Sequence, residues 1–294
     1  MQGASMEKTV AGRNCIITGA TRGLGGKIAE ALWDAGANLL LIARTQHNLE
    51  AMLNRLPRFT GQAVYAMNAD LGDPLSVDSI VSKAKEKFGS VDVLVNNAGI
   101  QGPIGPVWAN DWHEWQRTMQ VDLMAPVALC RQCAPFMGKK GRSKIINISG
   151  GGATGPRAHF SAYATAKAGL VRFSETLAEE TKDMSIDVNC IAPGAMNTAM
   201  IAEIVRSGED AAGKREYEVA VRVQASEDAA LERAASLCVF LASSASDGIT
   251  GKLISAQWDP WEELPFHLDD LKTDIYTLRR IVPKDRGKTW GDRK

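Results

Sequence analysis

The chain has 294 residues and 45% apolar content, enough for one large α/β domain or two small ones with a sizeable core. Lys plus Arg number 34 and Asp plus Glu number 34, so the net charge of zero gives no electrostatic reason to expect nucleic acid or an anionic membrane as partner. No apolar run approaches the roughly 18 residues of a membrane span, and the opening stretch MQGASMEKTVAGRN, with a second plausible start at Met6, lacks a signal core.

Short β-rich runs alternate with helical patterns along the chain. After an N-terminal tail over residues 1–10, CIIT (15–18) reads as the first strand and 24–35 as the first helix. The next strands are NLLLIA (38–43), AVYAM (63–67) and VDVLV (91–95), with helices over 46–56 and 74–88 between them. A long helix is predicted over 111–137, then the strand KIINIS (144–149), a helix over 160–182 and the strand SIDVNCIA (185–192). A helix over 226–243 and the strand KLISA (252–256) follow. Most of these strands are nearly continuously apolar, as strands buried on both faces are. Such alternation means βαβ units, a parallel sheet and right-handed crossovers that put helices on both faces. There is no internal repeat or linker, so residues 11–257 read as a single doubly wound α/β domain. Residues 258–294 form a C-terminal extension, in which LPFHLDDLKTDIYTLRRI predicts an amphipathic helix over 264–281. That helix would cover a substrate mouth or clasp a neighbouring subunit.

The five cysteines, 15, 130, 133, 190 and 238, read as reduced thiols of a cytoplasmic protein. Cys130 and Cys133 form a CxxC inside a helical pattern with no second pair nearby, so no metal or redox site is expected.

Chemistry gathers at the carboxyl ends of the strands, where open α/β sheets bind ligands. Gly19, Gly23 and Gly25 stand between the first strand and the first helix. Glycines there let backbone amides approach a pyrophosphate, and the helix N-terminus adds partial positive charge. NNAG (96–99) ends the fourth strand and APGAMNT (192–198) ends the sixth. Tyr163 and Lys167 are four apart, so on a helix they share a face. An ammonium beside a phenol favours the phenolate and brings the phenol toward the working range of a general acid/base.

TGATRGLG, NNAG, YATAK and PGAMNT occur in an order that resembles the classical short-chain dehydrogenase/reductase family over about residues 11–257. The resemblance implies a Rossmann-like fold with a seven-stranded parallel sheet of order 3-2-1-4-5-6-7 and a variable substrate flap at 199–222. It implies a nicotinamide cofactor along Gly19, Thr21, Arg22, Gly23, Leu24, Gly25, Arg44, Asp70, Leu71, Asn97, Ala98, Gly99, Pro193, Gly194, Met196 and Thr198. In that pattern Tyr163 exchanges a proton with a carbonyl oxygen during hydride transfer, and Lys167 also holds the nicotinamide ribose. Asp70 corresponds to the residue that contacts the adenine, and Thr198 to the one that bonds the carboxamide. A homodimer or homotetramer is expected, since the helices over 111–137 and 160–182 carry more apolar surface than one sheet face needs.

Two positions depart from the pattern. Gly150 stands where the substrate-orienting Ser is expected, which leaves Ser149, Thr154 or the backbone amides of Gly150–Gly152 to take its place. Asp122 stands where the family has Asn, and its charge would support Lys167. Cofactor choice is legible at the end of the second strand. An NAD site has an acid there for the ribose diol, whereas this chain has Ala43 followed by Arg44, with Arg22 nearby. Two guanidiniums suit a 2′-phosphate, so NADP is expected over NAD. Trp108, Trp112 and Trp115 are candidates for aromatic lining or for packing, and Phe160 and His159 approach the active-site helix. An oxidoreductase acting on a carbonyl/alcohol pair is the main reading. An epimerase or dehydratase-like enzyme using the nicotinamide transiently, or a dinucleotide-binding protein with little activity, is the alternative.

Overall fold

The computed structural model describes residues 9–139, 141–226 and 229–290. Residues 1–8 of the predicted tail lie outside them. The strands are β1 (Asn14–Thr18), β2 (Asn38–Ala43), β3 (Val64–Asn68), β4 (Val93–Asn96), β5 (Ser143–Ile148), β6 (Ile186–Ala192) and β7 (Lys252–Ser255). They form one parallel sheet of order β3-β2-β1-β4-β5-β6-β7. The order reverses between β1 and β4, so a crevice opens at their carboxyl ends.

Period-two alternation splits each strand between two cores. Cys15, Ile17, Leu39 and Leu41 face one layer, which contains α1 (Gly23–Asp34) and α9 (Ala229–Ala242). Ile16, Leu40 and Leu94 face the other, which contains α3 (Ser76–Phe88), α5 (Ala125–Cys133) and the end of α6 (Ser161–Glu180). α2 (Gln46–Arg55) covers β2 and β3. All five cysteines are free and buried, and burial pushes each thiol above its usual range. Among the described residues no group of His, Cys, Asp or Glu is arranged to hold a metal, and no helix is long and apolar enough to cross a membrane.

Three segments differ from the sequence expectation. The helix over 111–137 is broken into α4 (Trp112–Met119), a π-turn (Gln120–Met124), α5 and a 3-10 turn (Ala134–Phe136). The flap holds two helices, α7 (Ala199–Ala212), kinked at Gly208, and α8 (Lys214–Gln224). The amphipathic helix over 264–281 does not form. Two 3-10 stretches, Trp261–His267 and Asp270–Lys272, are followed by irregular chain. Pro265 lies inside the first stretch. Thr273 and Thr277 turn their hydroxyls onto the carbonyls of Asp270 and Asp274, three residues back. Lys252 takes the carbonyls of Thr273 and Ile275, both at 2.9 Å. Those local and long-range bonds replace a helix ladder.

The extension instead runs along the outer edge of β7. The Leu253 amide donates to the Tyr276 carbonyl at 2.8 Å, and the Leu278 amide donates to Glu175 of α6 at 2.6 Å. Trp261, Leu264 and Leu271 join the first core.

Candidate active site

The glycine turn is built by close approach. Gly19 is left-handed at φ 65°, and a β-carbon on Gly25 would overlap the Gly19 carbonyl and the Asn97 amide. Only glycine fits there. Asn97 Nδ2 donates to the carbonyls of Thr18 at 2.9 Å and Gly19 at 3.2 Å. The Thr18 hydroxyl accepts from the amides of Asn97 and Ala98, each at 3.0 Å. The NNAG turn and the glycine turn are thus laced together across β1 and β4. Thr198 closes the third side, since a β-carbon on Gly23 would lie 3.3 Å from its methyl.

These turns enclose a cleft of about 1160 Å³. Every residue predicted to bind cofactor lines it, from Gly19 to Thr198, as do Ser149, Tyr163 and Lys167. Asp122 does not; it lies fully buried behind Lys167. Arg22 and Arg44 are exposed at one end. Asp70 accepts from the Gly72 amide at 2.9 Å and from Arg117 at 3.0 Å. Burial pushes its carboxyl up, but those two donors hold it below the usual carboxylate range.

The chemical centre is a buried row. The π-turn after α4 carries Asp122, whose Oδ1 accepts from the Ile100 amide at 2.9 Å. Its Oδ2 lies 3.3 Å from Lys167 Nζ, a charge contact without good hydrogen-bond geometry. Lys167 Nζ also donates to the Ile148 carbonyl at 3.1 Å and lies 5.5 Å from the Tyr163 ring centre. Burial pulls the ammonium down, but Asp122 and Tyr163 outweigh it and its pKa is raised. Burial pushes the Asp122 carboxyl up, against the pull of Lys167. Lys167 draws the Tyr163 phenol down as the sequence implies, yet burial, assisted by Asp122, leaves it above its ordinary value. Burial of the phenol thus outweighs an effect of Lys167 that has the sign the spacing implies.

Around this row the substitutes for the missing Ser differ in kind. A β-carbon at Gly150 would overlap the Tyr163 hydroxyl, so Tyr163 occupies the room such a side chain needs. Ser149 lines the cleft with its hydroxyl buried and unpartnered, and Thr154 is exposed at the rim. The tryptophans are not cleft lining. Trp108 and Trp112 are 87% and 63% exposed, and Trp115 stacks on Trp112 and donates to Ser161 at the start of α6. Trp258 lines the mouth instead. His159 meets the Ala211 carbonyl of α7 at 2.6 Å, and Phe160 is buried among flap residues.

Sequence reading missed Thr18, whose only signal is its place before Gly19, and Gln101, two residues past NNAG. It also missed Arg157, which pairs with Glu216 of α8 at 2.8 Å and ties the loop after β5 to the flap.

The parallel sheet with this order, the glycine turn and the Tyr–Lys pair at one crevice define a dinucleotide-fold oxidoreductase. The chain belongs to the short-chain dehydrogenase family, whose model matches residues 13–208. It is 35% identical over 241 residues to 3beta-hydroxysteroid dehydrogenase 1 of Eggerthella lenta, covering 82% of this chain and 90% of that protein. It is 32% identical over 243 residues to 3-oxoacyl-(acyl-carrier-protein) reductase FabG of Escherichia coli (strain K12), covering 83% and 95%. Among solved structures, L-sorbose reductase of Gluconobacter frateurii, complexed with NADPH and L-sorbose, is 30% identical with a TM-score of 0.75, covering 85% of this chain and 97% of that one.

Proposed function

We propose that the protein is an NADP(H)-dependent oxidoreductase that interconverts a carbonyl and an alcohol, with Tyr163 as general acid/base. The observation that carries this reading is one cleft lined by the glycine turn, by Arg22 and Arg44, and by Tyr163 and Lys167. The backbone of Gly19–Gly25, too tight for any β-carbon at Gly25, fits a pyrophosphate, and the two exposed guanidiniums fit a 2′-phosphate. When bound, the cofactor supplies or accepts the hydride.

The chain's own part is the proton. In reduction Tyr163 gives its hydroxyl proton to the carbonyl oxygen, and the Lys167 ammonium stabilises the phenolate left behind. Asp122 keeps Lys167 charged in spite of its burial. Oxidation runs the same steps backward. A phenol held above its ordinary value is protonated at neutral pH, which suits reduction. The Gly150–Gly152 backbone orients the carbonyl.

The domain over 11–257 carries this site under the flap at 199–222, and the extension from 258 adds Trp258 to its mouth. Exposed Met124 and Trp112 support a homodimer or homotetramer, and the five unpaired thiols support a cytoplasmic setting.

The test is steady NADPH consumption with a carbonyl panel. Tyr163→Phe is expected to lower kcat by about 10²–10⁴-fold while cofactor affinity changes little. NADPH is expected to bind at least tenfold more tightly than NADH, and Arg44→Asp to narrow or invert that gap, by titration calorimetry. A fully active Tyr163→Phe overturns the catalytic assignment. Product formed without net NADPH consumption replaces it with a transient use of cofactor.

A further inference from the structure

Two polar groups in the cleft are buried and unpartnered. Gln101 is 2% exposed and its Nε2 has no hydrogen-bond acceptor. Ser149 is also 2% exposed and its Oγ has no partner. Both line the cleft. They leave adjacent strands, since Asn96 of β4 lies opposite Asn147 of β5. An unmet buried donor loses its bonds to water without replacement, and native structures seldom carry one without a use for it.

Gln101 is held in place from behind. Gly102, left-handed at φ 68°, packs so tightly on Thr118 of α4 that a β-carbon there would overlap its hydroxyl. Ser149 directly precedes Gly150, the residue whose α-carbon faces the Tyr163 hydroxyl. The unmet groups therefore stand in the two loops, after β4 and after β5, that line the cleft together with Tyr163. Arg157, which lines the same cleft, is already engaged, because it is paired with Glu216 through both Nε and Nη2. What Gln101 and Ser149 themselves offer is neutral hydrogen bonding.

We propose that Gln101 and Ser149 bind a second, uncharged oxygen of the substrate, one or two carbons from the reacting carbonyl. The substrate class is then hydroxyketones and related dioxygenated carbonyl compounds rather than simple ketones or keto acids. This rests on the reading of Tyr163 as the proton donor. Gln101 donates through Nε2, so the group it meets is a carbonyl or hydroxyl oxygen. Ser149 completes the contact as donor or acceptor.

The experiment compares 3-hydroxy-2-butanone with 2-butanone in the NADPH-loaded enzyme by kcat/KM. The wild type is expected to prefer the hydroxyketone by tenfold or more. Gln101→Leu and Ser149→Ala are each expected to cut that ratio about tenfold. The intrinsic reactivity of the two ketones is common to all variants, so the change in ratio isolates the contact. Gln101→Met, close to isosteric, repeats the measurement if the Leu variant folds poorly. NADPH affinity, read by its fluorescence, should stay within twofold in Gln101→Leu. A parallel loss of cofactor affinity would place Gln101 on the cofactor and overturn the proposal. Saturation-transfer NMR with NADP⁺ reads binding of both ketones independently of turnover. If the hydroxyketone binds no better than 2-butanone there, or if the ratio is unchanged in the variants, the proposal is wrong. A fully active Tyr163→Phe that keeps the wild-type preference would instead remove the catalytic reading and leave the oxygen site standing.

Discussion

Two lysines are buried in this protein beside aspartates, and their surroundings differ. Lys144, in β5, is 1% exposed and its ammonium has three acceptors: Asp187 at 2.8 Å, Asp247 at 2.8 Å and the Ser246 hydroxyl at 3.1 Å. Asp187 in turn receives Arg142 at 2.8 Å and the Gly248 amide at 3.1 Å. Lys167, in α6, has one backbone carbonyl and one loosely placed carboxylate, and its remaining capacity faces the cleft. The first cluster is complete and joins β5, β6 and the turn after α9. The second is incomplete and lies where a ligand can finish it. The same residue pair is thus filled where it joins strands and left open where it faces the cleft.

The largest expected effect tests that contrast. Removing one partner of a filled buried pair costs about 3–5 kcal/mol. Lys144→Ala should therefore lower unfolding free energy by about that much in urea melts, with kcat of the folded fraction near wild type. Lys167→Ala should do the reverse, losing activity and cofactor affinity together for a smaller loss of stability. If Lys144→Ala proves harmless to stability, the contrast fails.

Gly150→Ser is a smaller break. The substitution restores the hydroxyl that relatives of this pattern have, yet its β-carbon would overlap the Tyr163 hydroxyl. Activity should fall tenfold or more rather than rise, by NADPH oxidation.

Asp122→Asn should shift pH dependence more than it shifts rate. Asp122 raises the pKa of both Tyr163 and Lys167, so removing its charge lowers both. The alkaline limb of kcat/KM should move to lower pH. For stability the sign follows from Lys167. With its folded pKa raised, its contribution is full below the ordinary lysine value and is lost as pH rises through the folded value. In the Asn variant Tyr163 is left as the main group opposing burial, and that alkaline loss should shrink and move to lower pH in thermal melts taken across the range. An unmoved limb would show that Asp122 is electrically silent.

The five inner strands were legible because each is a short, mostly apolar run buried on both faces, and the partly buried edge strands β3 and β7 through their β-rich runs. The residues that line the cleft were legible because glycines and NNAG sit at strand ends, where sequence order and spatial order coincide. Neither lysine's surroundings were. Lys144 reads as a polar interruption in KIINIS, and its partners come from β6 and from residues 102 or more positions away. The π-turn that presents Asp122 has no sequence period of its own, so 111–137 reads as one helix. The segment 264–281 has helical spacing, but its carbonyls are taken by Lys252, a tertiary fact no local pattern holds. Gln101 carries no signal beyond adjacency, since an unmet amide is visible only once its neighbours are in place.

The chain segment along β7 bears on how the protein is made. Residues 273–278 supply the partners for the outer side of the last strand, and they are synthesised after every strand of the sheet. Until they emerge from the ribosome, the nascent sheet presents a raw flank of amides and carbonyls to other nascent chains. Soluble yield in the cell should then depend on how promptly translation passes this point, and a pause placed between codons 256 and 273 should send more chain into inclusion bodies than the same pause placed upstream of β7.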